Sequence, residues 1–168
     1  KVRYLCGNRC FWARTNDDRS DSQVMQILIV TIWITQGVLM FFDEFKFHHQ
    51  RGLKKWERIG HPVDSLFFLI PFLYTLKFDN IYTFIGLCTF SCLLVTKDEF
   101  VHARECDSPE QWLHSVLFII HPVAFLGLWL AWKNDFYAII QMQSLIIFVF
   151  MLYQIIYWNF IIGTKNEA

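Results

Sequence analysis

Apolar residues run along the chain in five long blocks, separated by short polar stretches. The first block extends from about Val24 to Phe42. Ile27-Leu28-Ile29-Val30 and Val38-Leu39-Met40-Phe41-Phe42 are its most apolar segments, with Gln36-Gly37 offering a close-packing point between them. The second starts at Pro62, a residue suited to a first helical turn, and reaches about Leu76, with a kink expected at Pro71. The third covers Ile81 to about Thr96. The fourth follows Asp107-Ser108-Pro109-Glu110, where Ser108 is expected to cap the helix and Gln111 to complete a capping box. It reaches Trp132, with Pro122 inside. The fifth covers Phe136 to Ile162. These lengths match the hydrocarbon thickness of a bilayer. The expected fold is an all-α membrane protein with about five transmembrane helices.

Composition agrees: of 168 residues, 55% are hydrophobic and 18% aromatic, which would leave a soluble domain with much apolar surface in water. Formal net charge is zero, so nothing points to nucleic acid. Residues 1–22 are polar, lack the layout of a signal peptide, and are expected to form a tail with an interfacial helix around Phe11 and Trp12. Residues 23–168 then make one transmembrane domain. Cys6 and Cys10 offer a disulfide or a metal pair beside the simpler reading of two unremarkable thiols. Cys88 and Cys92 read as packing residues, and Cys106 as a reserve ligand.

The polar stretches between blocks one and two and between blocks three and four resemble each other. Asp43-Glu44-Phe45 aligns with Asp98-Glu99-Phe100, and Glu57…His61 with Glu110…His114. Each sits at the elbow of an apolar hairpin. The expected core is four helices built from two directly repeated hairpins, about 24–77 and 81–132, with 136–162 as an extra helix. Five spans place both elbows on one side. The first elbow carries Lys46, Arg51, Lys54, Lys55 and Arg58, whereas the opposite turns carry only Lys77 and Lys133. The positive-inside rule makes the elbows cytoplasmic and the N-terminus external, in a bacterial inner (plasma) membrane.

Helical spacing determines whether the elbow residues converge. Glu44 and His48, Glu57 and His61, and Glu110 and His114 are each four apart, and Glu99 and His102 are three apart. Each pair therefore shares a helix face. One carboxylate and one imidazole from each of four helices suits two metal ions bridged by carboxylates. That donor set favours iron, then manganese or zinc. Asp64, three residues beyond His61, is a further ligand or an orienting partner. His121, one heptad beyond His114, is a ligand or a hydrogen-bonded core residue. Asp43, Asp98 and His49 are the next candidates, with the choice between His48 and His49 left open. The bland alternative is a ring of salt bridges in which Arg58, Lys97 and Arg104 pair with the carboxylates.

Glu99-Phe100-Val101-His102 is similar to the Glu-x-x-His element of ferritin-like di-iron carboxylate proteins. That resemblance implies a four-helix bundle holding two irons and activating oxygen. The His-x-x-His-His boxes of membrane fatty-acid desaturases are absent. The expectation is a membrane oxidoreductase acting on an apolar or lipid-like substrate at the cytoplasmic face, with membrane lipids and an electron donor as partners. Alternatives are a metal-ion carrier or sensor, a zinc-dependent lipid hydrolase, and a b-type haem protein using His61 and His121 as axial ligands.

Overall fold

The computed structural model describes residues 2–6, 9–13 and 16–162, with side chains from Arg19 onward except those of Val101 and Glu105. Strands β1 (Val2–Cys6) and β2 (Arg9–Ala13) pair antiparallel. Phe11 and Trp12 thus lie on a strand and not on an interfacial helix, in keeping with the preference of aromatic residues for extended backbone. Cys6 and Cys10, read as two unremarkable thiols with a disulfide or metal pair as the alternative, lie outside the described side chains.

The rest of the described chain is helical. Helix α1 (Asn16–Phe42) starts inside the stretch expected as a tail, passes into a π-helical turn (Asp43–His48) and ends in the short α2 (His49–Arg51). Gly52 then closes α2 at φ +77°, a left-handed value that glycine adopts without steric cost. Helices α3 (Lys55–Thr75) and α4 (Ile81–Val95) form the next pair. A 3₁₀ turn (Thr96–Asp98) leads into α5 (Glu99–Glu105), followed by α6 (Ser108–Lys133) and α7 (Tyr137–Ile156). The chain from α7 continues as a second π turn (Tyr157–Ile162).

Several helix boundaries differ from expectation for identifiable reasons. Helix α3 begins at Lys55, not at Pro62, because the Glu57 carboxylate accepts from the Lys54 backbone N–H at 3.1 Å and nucleates the turn earlier. Pro62 is then interior and cannot donate to the Arg58 carbonyl. Asn159 supplies that bond instead, from its Nδ2 at 3.3 Å. At α6 the cap position is Asp107, without a side-chain cap bond, and Ser108 is already helical. Helix α4 starts on Asn80, whose side chain accepts from the backbone of Tyr82 and Thr83.

Helix α1 packs on α6, and α3 packs between α7 and α4. The apolar core lies toward the ends of these helices remote from the elbows. Trp33, Phe68, Phe72 and Phe125 meet there with ring centroids 5.0–6.4 Å apart. Trp33 Nε1 donates to the Ala124 carbonyl at 3.1 Å. The two helices come this close because position 127 is glycine: a Cβ there would stand 3.3 Å from Trp33 Nε1.

The outer surface is the reverse of a water-soluble one. Ile27, Leu93, Ile119 and Leu145 are all more than 60% exposed, while charged and polar groups cluster inside near the elbows. Three helical stretches, Arg19–Arg51, Ser108–Lys133 and Tyr137–Ile162, are long and apolar enough to cross a membrane.

Candidate metal centre

Four helical segments meet at the elbow end, and each contributes one imidazole. His48 comes from the π turn after α1, His61 from the second turn of α3, His102 from α5 and His114 from the second turn of α6. Their rings form a closed circuit. Centroid separations are 4.7 Å from His48 to His61, 6.4 Å to His102, 3.8 Å to His114 and 6.2 Å back to His48. His48, His102 and His114 are almost fully buried. Both ring nitrogens of His48 and His102, Nε2 of His61 and Nδ1 of His114 make no hydrogen bond among the described residues. Buried polar atoms are normally satisfied. Carboxylates of Asp43 and Glu44 stand 3.4 and 3.6 Å from the two nitrogens of His48, and a metal ion would satisfy this set of imidazole nitrogens.

Carboxylates surround this circuit. Asp43, His48, Glu110 and His114 each offer a donor atom within 4.8 Å of the others, and so do Glu57, His61 and His102. His61, Asp64 and Asp98 form a third such group, and His102, Cys106 and His114 a fourth. The groups share His61, His102 and His114, so they make one continuous centre. Buried His, Asp and Glu clusters of this kind could hold metal.

Neighbouring groups hold the donors in place. Asp43 Oδ1 lies 2.8 Å from His114 Nε2. With the proton on Nε2, the Nδ1 lone pair of His114 points into the centre, an arrangement that orients metal-binding histidines. Arg51 clamps Glu57 through two bonds of 2.6 and 3.1 Å and reaches Glu110 at 3.2 Å. Burial pushes the Glu57 carboxyl up, but the Arg51 guanidinium outweighs it and leaves it below its usual range. Burial, helped by the neighbouring His114, pushes His102 down to about 3, so its imidazole is neutral and free to donate. Burial, with Glu110 next to it, pushes the Cys106 thiol up to about 12, so it stays protonated without a metal. Lys97 Nζ sits 2.6 Å from Asp64 and 3.1 Å from Asp98.

The expected ligands divide by position. His48, Glu57, His61, Asp64, His102, Glu110 and His114 all belong to metal-capable groups. Glu44 is buried behind them: it accepts from Trp158 Nε1 and from Gln154 Nε2, and stands 3.6 Å from His48 Nδ1. Glu99 is half-buried and joins none of the groups. His121 lies deeper, with Nε2 3.0 Å from Ser91 Oγ and its ring against Phe68 and Phe125, and also joins none. His49 points away and pairs with the Tyr153 hydroxyl at 2.9 Å. Asp43 and Asp98, ranked behind the glutamates from sequence, take the places beside the histidines.

A cavity of about 90 Å³ opens above the centre. Its floor is the ring of histidines and aspartates, and Met40, Phe68, Leu117, Phe118 and Phe150 form its apolar wall. Fold and site together define a helical protein with membrane-length apolar helices and a buried histidine–carboxylate centre able to take metal. Comparison with protein-family models, characterised proteins and solved structures gave no match.

Proposed function

We propose that this chain is an integral membrane di-metal protein, most simply a di-iron oxidoreductase that activates oxygen on an apolar or lipid-like substrate. The observation carrying this reading is the pair of donor groups joined across the imidazole circuit, Asp43–His48–Glu110–His114 on one side and Glu57–His61–His102 on the other. Charge supports cation binding. Six carboxylates (Asp43, Glu44, Glu57, Asp64, Asp98 and Glu110) surround the centre, with Arg51 and Lys97 ion-paired to some of them, so carboxylates outnumber these two cations. Oxygen and nitrogen donors favour iron, with manganese or zinc next.

Bound iron would supply the redox chemistry with oxygen. The chain's own residues do the rest. Arg51 fixes the carboxylates of Glu57 and Glu110, Asp43 fixes the tautomer of His114, and the apolar wall of the cavity excludes water beside the reacting position. We read α3 and α4 as two further spans, giving five, with two directly repeated hairpins as the core. The lysines and arginines of the first elbow then place the centre at the cytoplasmic face. An external electron donor and membrane lipids are the partners this chemistry requires.

The group His102–Cys106–His114 favours a second reading, a zinc-dependent lipid hydrolase, because two imidazoles and a thiolate are a zinc donor set. Elemental analysis of detergent-purified protein separates the two. Roughly two irons per chain, lost in a His61→Ala/His114→Ala double variant that keeps its helical spectrum, is the expected result. About one zinc per chain would move the assignment to hydrolysis. Absence of metal from both samples would reduce the centre to a structural polar cluster.

A further inference from the structure

An apolar groove of about 440 Å³ runs between α1 and α7, open to the outside along its length. It joins the cavity over the metal-capable centre: Gln36, Met40, Ser65, Phe68 and Phe150 line both. Along α1 it extends from Phe41 back to Trp33, so its far end lies about 15 Å from Asp43 by helical rise. The groove therefore leads from the elbow end toward the middle of two membrane-length helices. Hydrocarbon chains are what a bilayer offers at that depth.

Two features distinguish the groove from an ordinary lipid-facing crevice. Gln36, at the junction with the cavity, is 4% exposed, its amide makes no hydrogen bond among the described residues, and the amide is not one of the fully enclosed groups, so it opens onto the groove or the cavity. A ligand with a polar head at that point would give it a partner in otherwise apolar surroundings. The groove also has no charged side chain in its lining, and the cavity beyond it is rich in carboxylates. The groove offers no counter-ion to a charged head, and the carboxylates beyond it repel an anionic one.

We infer that the groove is a binding site for a neutral single-chain amphiphile, a long-chain alcohol or compound of similar shape. Its tail lies between α1 and α7, and its head meets Gln36 at the entrance to the metal-capable cavity. The inference depends on the oxidoreductase reading only for what happens to the bound molecule.

Gly37 makes the test clean. It lines the groove, and a Cβ built there meets nothing within 4 Å, so Gly37→Leu starts its side chain in open space beside the groove. Gly86 on α4 is equally open but distant, so Gly86→Leu serves as control. Protein in lipid nanodiscs is photolabelled with a diazirine-bearing hexadecanol, labelled peptides are mapped, and metal content is measured on the same samples. Saturable labelling of residues 33–41 and 143–150 is expected, about tenfold weaker in Gly37→Leu and unchanged in Gly86→Leu. Gln36→Leu should weaken it too, with metal content unaltered. Labelling that rises linearly with probe and is equal in all variants overturns the inference, and so does equal competition by a diacyl phospholipid. Saturable labelling in protein without metal would leave the groove assigned and remove the oxidoreductase reading. Metal with unsaturable labelling would do the opposite.

Discussion

Asp43 shows how one side chain governs a centre without standing out in the sequence. Its hydrogen bond to His114 Nε2 decides which imidazole nitrogen faces the donors across the circuit. Asp43→Asn keeps the size but permits the opposite tautomer. We expect metal affinity to fall by about 10–100-fold, read by competition against a chelating dye, while the helical spectrum stays the same. Arg51 acts through charge. Arg51→Met would leave Glu57 and Glu110 buried without their cation, and Arg51 itself is only partly shielded. Metal-free protein should lose about 2 kcal/mol, less than a fully buried pair would cost. Metal-loaded protein should lose less, because the ion replaces the missing charge; equal melting shifts in both states would contradict this. His102 adds a pH dependence. Its folded value of about 3 lies below the ordinary 6.5, so below 6.5 the unfolded chain takes up the proton first. Between about pH 6.5 and 3, metal-free protein should therefore lose more melting temperature on acidification than a His102→Gln variant, in which this titration is removed. Equal slopes in the two proteins would exclude a buried neutral imidazole at this position.

At the scale of elements, the helices are legible in the sequence, and His48, His61, His102 and His114 converge at the elbow end, whereas the carboxylate register is not legible. The spacing argument assumed α-helical geometry through both elbows. In the structure the first elbow is a π turn, where hydrogen bonds run to the fifth residue. That wider turn brings Asp43 to 3.4 Å from His48 Nε2 and leaves Glu44 behind it. The second elbow contains a 3₁₀ turn, whose tighter winding places Asp98 with His61 and Asp64 and leaves Glu99 to the side. Neither turn type has a strong signature in residue choice, so the aspartates could be named as candidates but not promoted. The five apolar blocks each coincide with a helix because hydrophobic length depends little on local winding. One prediction belongs to this scale. Deleting exposed Lys46 should convert the π turn to regular α-helix and leave His48 on the same face, because a π turn carries one residue more than the α-helical arc it replaces. Metal content should stay the same with helicity retained; a sharp loss of metal would mean that the π turn does not act as a one-residue insertion.

Among the described residues, many apolar side chains face outward from the helices, and the buried charged groups lie at the elbow end. In a bilayer, stability would rest on shape, since lipid offers no drive to bury one more leucine. The seam between α1 and α6 illustrates this. Trp33 lies across Gly127, and its indole donates to the Ala124 carbonyl. Gly127→Leu would force these helices apart and should cost about 1–3 kcal/mol, measured as lowered melting temperature in detergent. Gly37→Leu, with open space around it, should not produce that loss.

Helix α7 gives none of the imidazoles, yet its Gln154 and the following Trp158 hold Glu44. This division of labour has a consequence for biogenesis. The fourth imidazole is in the chain once His114 is made, whereas the groups that hold Glu44 are added only with the last described helix. At ordinary elongation rates of about 5–20 residues per second, the interval between them is about 2–9 s. During those seconds a nascent chain has its histidines but lacks the helix that forms one wall of the groove. The centre is then open on the side that α7 later covers, and the ribosome's schedule sets how long that lasts.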